Sequence, residues 1–270
     1  MTLFCSDVDG TLLNRERTLS ARTIAAIRAV REAGHHFVFC SSRPPDSLEG
    51  LERLAGVEPA PLIAYNGGLV LRPDGSVVAD VAIDPADARL VYDECAGRDL
   101  HASFFAGRAW YAWGLDEWTD REARITAVPP SPESAHDYAA AGRIEAEPPH
   151  KVMLMGDPDL IDELEHLLAS RPGVVTYRSK TTYLEIANAG CTKGEGLRAV
   201  AAEQGVDLQD VVFFGDNYND LPAFAVVGTA VAVANAREPV LAAATVVTGR
   251  HHDDGVAAYL EDWLARAGSA

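Results

Sequence analysis

Residues 3–13 read Leu-Phe-Cys-Ser-Asp-Val-Asp-Gly-Thr-Leu-Leu, an apolar run followed at once by two aspartates one residue apart. A short continuous apolar run of this kind is typical of a strand buried on both faces of a sheet. Residues two apart in an extended segment point to the same side, so the carboxylates of Asp7 and Asp9 are expected to converge beyond the strand. Because two nearby carboxylates repel each other, the pair favours a shared proton or a bound divalent cation.

Apolar runs and helical segments alternate in the first half and in the last third of the chain. Further strands are predicted at residues 37–40, 62–65, 211–214, 230–233 and 245–247. Helices are predicted at residues 19–33, 194–204, 220–226 and 255–266, the first with Ser20 as its N-cap and Gly34 as its end. Continuous apolar strands separated by helices indicate an α/β fold with a Rossmann-like, doubly wound parallel sheet.

The middle of the chain has a different composition. Residues 84–187 contain three of the four tryptophans, a proline-rich patch at 128–132 and a strand at 151–155. We expect this stretch to be an inserted α+β domain. The core would then be discontinuous, with residues 1–83 and 188–270 on either side of the insertion.

The formal net charge of −17 excludes several classes of partner. A surface this acidic repels phosphate backbones and anionic lipids, so we expect neither nucleic acid nor a membrane as a partner. Hydrophobic residues make up 48% of the chain, the proportion of a globular protein with a packed core, and disorder is expected only at residues 268–270. A phosphorylated ligand would need local positive charge from a metal ion, a lysine or helix amides.

Cys5, Cys40, Cys95 and Cys191 lie far apart without C-x-x-C spacing, so we expect buried thiols in a reducing compartment. The residues before Asp7 lack the basic and apolar regions of a signal peptide. No apolar run approaches the ~20 residues that span a bilayer. The sequence predicts a soluble cytoplasmic protein and leaves its oligomeric state, monomer or dimer, open.

Polar clusters follow four of the predicted strands. Ligands of an open parallel sheet bind beyond the carboxyl ends of its strands, where these clusters stand. Ser41 and Asn66 offer hydroxyl, amide and backbone N–H groups that suit phosphoryl oxygens. Lys193, just before a predicted helix, can offset the charge of a phosphate. The fourth cluster, Gly-Asp-Asn-Tyr-Asn-Asp at residues 215–220, offers oxygen ligands that suit Mg²⁺ and its waters.

Together these clusters resemble the four motifs of the haloacid dehalogenase superfamily, in order and spacing, across the whole chain. Residues 7–13 are similar to the first motif, Ser41 to the second, Lys193 to the third and residues 215–220 to the fourth. The resemblance narrows to the Cof-type phosphatases through three further segments: Asn66-Gly67, Ala234-Asn235-Ala236 and Asp254-Gly255-Val256.

The position of the insertion indicates the subtype. Only about thirty residues separate the first two motifs, so the insertion falls between the second and third, as in members with an α/β (C2-type) cap. Ser42 stands where the family usually has glycine, which can restrict the approach to the phosphate.

The resemblance implies a phosphatase that acts on a small phosphorylated metabolite, such as a sugar phosphate. Asp7 would attack phosphorus and form an aspartyl-phosphate. Asp9 would protonate the leaving alcohol and then activate the water that hydrolyses the intermediate. Ser41, Asn66 and Lys193 would hold the phosphoryl oxygens.

The resemblance also implies a magnesium cofactor. Mg²⁺ would be held by Asp7, the main-chain carbonyl of Asp9 and Asp216, with Asn219 and Asp220 behind its waters. Ligand choice would lie in the cap. The candidates there are Trp110, Tyr111, Trp113, Arg178, Lys180 and Tyr183.

Four other functions use similar residues. A receiver-type signalling domain is about half this length and has no reason to place Asp9 two residues after the phosphoacceptor. Dehalogenation needs neither Asp9 nor a metal, and a catalytically dead binding protein would be expected to have lost one of the motif residues. A sugar-phosphate phosphotransferase or mutase of the phosphomannomutase type shares the chemistry and stays open as the alternative.

Overall fold

The computed structural model describes residues 1–268, so the disorder prediction for Ser269 and Ala270 lies outside the described residues. The chain divides into two compact units. Unit 1 consists of Met1–Ser42, Leu48–Ala79 and the residues from Thr192 onward, and unit 2 consists of Arg43–Ser47 and Asp80–Cys191.

Strands and helices alternate over most of the described chain. The strands are β1 (Leu3–Ser6), β2 (His36–Cys40), β3 (Leu62–Ala64), β4 (Leu69–Leu71), β5 (Val77–Asp80), β6 (Leu100–Ala106), β7 (Ala109–Ala112), β8 (Lys151–Gly156), β9 (Val174–Lys180), β10 (Tyr183–Asn188), β11 (Val211–Gly215), β12 (Thr229–Val233) and β13 (Val246–Thr248). The α-helices are α1 (Ala21–Glu32), α2 (Pro45–Ala55), α3 (Pro85–Cys95), α4 (Glu117–Thr126), α5 (Ala135–Ala140), α6 (Arg143–Ala146), α7 (Pro158–Leu168), α8 (Lys193–Glu203), α9 (Leu221–Phe224), α10 (Glu238–Ala243) and α11 (Gly255–Ala267).

Unit 1 is built on an eight-stranded sheet with the strand order β13-β12-β11-β1-β2-β3-β4-β5. The strands from β13 to β3 run parallel to their neighbours, with Leu3 opposite Val211 on one side and His36 on the other. Strands β1 and β11 are buried along their whole length, and apart from Ser6 their side chains are apolar on both faces. The prediction of a parallel α/β sheet is confirmed.

Helix α1 shows how the local sequence sets the ends of an element. The side-chain oxygen of Ser20 accepts a hydrogen bond from the backbone N–H of Thr23 at 3.0 Å, which confirms Ser20 as the N-cap. Gly34 has a φ of +86°, a conformation that glycine adopts without steric cost, and it ends the helix as predicted. Ile27 and Val30 are fully buried and anchor the inner face of the helix.

The sheet extends further than the sequence predicts. After β3 the chain turns back through β4, which is antiparallel to β3 with Leu62 opposite Leu71, and β5 forms the edge of the sheet. Only four residues separate β4 from β3, and β5 is exposed at both of its ends, so neither stands out in the sequence as a separate buried apolar run. This return segment was therefore not predicted.

Unit 2 contains a five-stranded antiparallel sheet in the order β7-β6-β8-β10-β9. Trp110 and Tyr111, two of the candidates for ligand choice, are buried in this unit. The Trp110 indole stacks on Phe105, and the Tyr111 ring stacks on Tyr138. Both aromatic residues thus contribute to the packing of unit 2.

The four cysteines are buried thiols, as predicted, and none of them forms a disulfide. Among residues 1–268, no helix combines the length and the apolar character that crossing a bilayer requires.

Candidate active site

The ends of the parallel strands place the predicted residues at one edge of the unit 1 sheet. Asp7 directly follows β1, Ser41 follows β2 and Asp216 follows β11. The backbone N–H of Asp7 donates to the carbonyl of Phe214 at 2.9 Å, so the hydrogen-bond ladder between β1 and β11 continues past the end of β1. Asp7 is therefore held by the sheet itself rather than by a loose loop.

Lys193 supplies the buried positive charge of the site. It is the first residue of α8 and is fully buried. Its ammonium donates to Oδ1 of Asp7 at 2.5 Å and to Oδ1 of Asp220 at 2.6 Å. Burial lowers the pKa of a lysine, but the carboxylates of Asp220 and Asp7 outweigh burial and raise the pKa of Lys193 well above its ordinary value. Lys193 thus stays charged beside Asp7.

A close backbone approach fixes the start of α8. Thr192 caps this helix, its side-chain oxygen accepting from the backbone N–H of Glu195 at 3.2 Å. Gly67 has a φ of +99°, and a Cβ at this position would lie 2.3 Å from the carbonyl oxygen of Thr192. Only glycine tolerates both the conformation and the contact. The Asn66-Gly67 segment after β3 therefore packs against Thr192, the residue before Lys193, and so fixes the position of Lys193.

The loop after β11 is organised by Asp220. Oδ2 of Asp220 accepts hydrogen bonds from the backbone N–H groups of Asp216 at 2.8 Å and Asn217 at 2.9 Å. Asp216 in turn accepts a hydrogen bond from the Thr11 hydroxyl at 3.0 Å. Because Lys193 occupies the other oxygen of Asp220, this carboxylate joins the loop to the buried cation.

The carboxylates of Asp7, Asp216 and Asp220 form a group that can hold a metal ion, with one oxygen from each lying within 4.8 Å of the others. Burial and the neighbouring charge of Asp220 raise the pKa of Asp216 to about 6, against the opposing effect of the Thr11 hydrogen bond. Both oxygens of Asp220 already accept hydrogen bonds, so Asp7 and Asp216 are the better placed ligands. A hard divalent cation such as Mg²⁺ fits this set of oxygen donors.

Asp9 lies outside that group of three carboxylates. Its Oδ1 accepts a hydrogen bond from Nη2 of Arg17 at 2.5 Å, and its side chain is 35% exposed. The neighbouring Gly10 has a φ of +87°, and a Cβ there would lie 2.5 Å from Oδ2 of Asp216. The turn after Asp7 thus depends on glycine to bring the two loops together.

Ser41, Asn66 and Asn219 are linked to one another. The backbone N–H of Asn66 donates to the carbonyl of Ser41 at 2.9 Å, and the side-chain amide of Asn219 donates to Oδ1 of Asn66 at 3.0 Å. Asn66 is buried and has a φ of +57°. The Asn66 side chain thus contacts Asn219, and the assignment of Asn66 to phosphate binding stays a prediction, like that of Ser41.

Three contributors to this site were not predicted from the sequence: Thr11, Arg17 and Asn235. The amide of Asn235 donates to the carbonyl of Gly10 at 2.8 Å and so supports the turn after Asp7. Thr11 and Asn235 lie inside segments that carry the family resemblance, which could have identified them. Arg17 lies in a turn where no pattern distinguishes it from an ordinary surface arginine.

Known proteins resemble this chain over nearly its whole length. Residues 4–260 match the family model described as haloacid dehalogenase-like hydrolase. The chain is 30% identical to a Haemophilus influenzae protein named "Putative phosphatase", covering 95% of this chain and 96% of the relative. It is 25% identical to the Escherichia coli protein named pyridoxal phosphate phosphatase YbhA, covering 96% of this chain and 97% of the relative.

The fold has counterparts among solved structures. The crystal structure of the Thermotoga maritima protein TM0651 superposes with a TM-score of 0.86 at 29% identity, covering 97% of both chains. The resemblance inferred from the four motifs is confirmed: the chain belongs to the haloacid dehalogenase-like hydrolase family.

Proposed function

We propose that this protein is a magnesium-dependent phosphatase that hydrolyses a small phosphorylated metabolite through an aspartyl-phosphate on Asp7. The observation that carries the proposal is the contact between the buried carboxylate of Asp7 and the ammonium of Lys193, beside the acidic pair of Asp216 and Asp220. A carboxylate that is held next to positive charge can meet an anionic phosphate without prohibitive repulsion.

The chain's own residues divide the reaction between them. A carboxylate oxygen of Asp7 attacks phosphorus, the bond from phosphorus to the ester oxygen breaks, and Asp9 gives its proton to the leaving alcohol. Asp9 then takes a proton from water, the water oxygen attacks phosphorus, and the bond from phosphorus to Asp7 breaks. Lys193 stays charged throughout and offsets the negative charge on the transferring group, which Ser41 also contacts in this proposal.

The metal site is assigned to Asp7, Asp216 and the main-chain carbonyl of Asp9. The bound ion supplies positive charge where the phosphoryl oxygens arrive. Asp220 keeps the Asp216 backbone in place through its hydrogen bond to that N–H group, and Asn219 holds Asn66. These contacts support their assignment as groups that position the ligands rather than bind the ion.

We assign the choice of substrate to the inserted domain, residues 84–187, and the catalytic core to residues 1–83 and 188–270. The name of the relative YbhA, pyridoxal phosphate phosphatase, supports a small phosphomonoester as substrate. The buried thiols support a location in the reducing cytoplasm.

Replacing the nucleophile tests this proposal directly. Asp7→Asn should lower the turnover of p-nitrophenyl phosphate with Mg²⁺ by about 10³-fold or more, because an amide oxygen is a poor nucleophile. Asp262→Asn, on an exposed position of α11, is the matched control and should keep full activity. Circular dichroism of both variants checks that the fold is retained. Normal turnover by a folded Asp7→Asn protein would refute the mechanism.

A further inference from the structure

Arg17 makes an ion pair that connects it to the reaction. Its guanidinium Nη2 lies 2.5 Å from Oδ1 of Asp9, and the two side chains are 48% and 35% exposed. An exposed ion pair of this kind contributes little to stability, with a typical value of about 0–1 kcal/mol. A stabilising role alone therefore gives little reason for this pair.

The backbone at Arg17 is in an unfavourable conformation. Its φ is +60°, in the left-handed region that favours glycine. The surrounding turn enforces it: the backbone N–H of Arg17 donates to the carbonyl of Asn14, and the backbone N–H of Asn14 donates to the carbonyl of Thr18, both at 3.0 Å. The Asn14 side chain also accepts from the backbone N–H of Thr18 at 2.9 Å. Strained residues held in this way are concentrated at functional sites.

Asp9 lies next to a group of carboxylates that can hold a cation, and its side chain needs a positive partner outside that group. It follows Asp7 by two residues, and the group of carboxylates that can hold a cation contains Asp7, Asp216 and Asp220 but not the Asp9 side chain. A carboxylate oxygen that coordinates a metal ion cannot exchange a proton at the same time. Arg17 offers Asp9 a positive partner elsewhere and so holds its side chain away from that group.

We infer that Arg17 is a positioning residue, which orients the Asp9 carboxylate for proton exchange with the leaving group and the attacking water. The inference rests on the proposed function, since it gives Arg17 a task only if Asp9 is the acid and base of a phosphatase. Arg17 itself does not touch the reacting atoms. Its effect on turnover passes entirely through Asp9.

The leaving group provides a test that a purely structural role would not satisfy. Phenolate leaves less readily than p-nitrophenolate, so phenyl phosphate depends more on proton donation than p-nitrophenyl phosphate does. Arg17→Met should lower kcat about 10-fold on phenyl phosphate and no more than about 2-fold on p-nitrophenyl phosphate, with KM little changed. Arg17→Lys should restore most of the loss, because lysine retains the charge.

The matched control is Arg22→Met, which removes an equally exposed arginine that pairs with Glu261. It should leave both rates unchanged. In an Asp9→Asn background, Arg17→Met should have no further effect on either substrate. Crystal structures supply a second readout: the Asp9 side chain should change its orientation in Arg17→Met and keep it in Arg22→Met.

Three results would overturn the inference. Equal losses on the two substrates, an undiminished effect of Arg17→Met in the Asp9→Asn background, or an unmoved Asp9 side chain would each show that Arg17 does not act through Asp9. Full activity of Asp9→Asn on phenyl phosphate would instead refute the proposed role of Asp9, and this inference with it. Failure of the nucleophile is detected separately by Asp7→Asn.

Discussion

Lys193, Asp7 and Asp220 form a buried group with one positive and two potentially negative charges. A buried ion pair is costly to break because removal of one partner leaves an uncompensated charge away from water. Asp216 differs in its hydrogen-bond donor, which is the Thr11 hydroxyl and not Lys193, and burial and the repulsion from Asp220 raise its pKa to about 6. We therefore expect Asp220 to stabilise the fold without binding the metal ion, and Asp216 to bind the metal ion without stabilising the fold.

This difference predicts separable effects of two substitutions. Asp220→Asn should lower the free energy of unfolding by about 3 kcal/mol, because Lys193 loses a charged partner. Asp216→Asn should leave stability unchanged or higher near neutral pH, because it removes a disfavoured charge, and should raise the Mg²⁺ concentration for half-maximal activity by more than about 10-fold. Urea unfolding and Mg²⁺ titration of activity measure the two quantities.

The exposed Asp210 offers a control on the same segment of chain. Asp210→Asn should change neither quantity. Equal effects of Asp216→Asn and Asp220→Asn on the Mg²⁺ requirement would contradict the assignment of Asp216 as ligand and Asp220 as support.

At the scale of elements, helix α2 contains a buried carboxyl group away from the site, which binds the connection that leads to β3. Glu52 is 4% exposed, and its Oε1 accepts a hydrogen bond from the backbone N–H of Ala60 at 2.9 Å. Burial raises the pKa of Glu52 to about 7, partly offset by that hydrogen bond. The folded protein thus binds a proton here more readily than the unfolded chain does, so stability falls as pH rises from about 4.5 to about 7.

Glu52→Gln should remove this pH dependence. Glutamine keeps an oxygen for the N–H of Ala60 and has no charge to bury, so the variant should be more stable than the parent above about pH 7, by on the order of 1 kcal/mol. Melting temperatures at about pH 5 and about pH 8 measure the effect. Glu49→Gln, one turn earlier in α2, is the control and should not reproduce it. A parallel pH profile for Glu52→Gln and the parent would show that Glu52 is not buried as described.

The same scale shows what the sequence can and cannot predict. Strand β1 was predictable because its apolar run ends at a charged pair, and α1 because Ser20 and Gly34 stop it at both ends. The return strands β4 and β5 were not predicted, because β4 follows β3 after only four residues and β5 is exposed at both of its ends. The ion pair of Arg17 with Asp9 depends on how a turn folds back, which composition and spacing do not encode.

At the scale of the whole molecule, hydrolysis and phosphoryl transfer to a second hydroxyl differ in the fate of the aspartyl-phosphate. A mutase must exclude water until the second hydroxyl attacks, whereas a phosphatase must admit it. For a phosphatase, free phosphate should appear in step with the released alcohol, and no bisphosphate activator should be needed. Chelation should stop the reaction and Mg²⁺ should restore it. Coupled phosphate release and chromatography of sugar phosphates distinguish the cases, and isomerised product outpacing free phosphate would favour the mutase.

Asp7 and Lys193 touch each other although 186 residues separate them along the chain. At a synthesis rate of about 5–20 residues per second, the ribosome needs roughly 10–40 s to add the lysine after it has added the aspartate. From the synthesis of β2 to the end of that interval, β1 has β2 as an available neighbour but lacks β11 on its other side. In a nascent chain, the side of β1 that pairs with β11 therefore stays unpaired until residues 211–215 have been made. Early termination anywhere in unit 2 would leave a fragment that contains Asp7 but neither Lys193 nor Asp216, so the proposed mechanism requires a nearly complete chain.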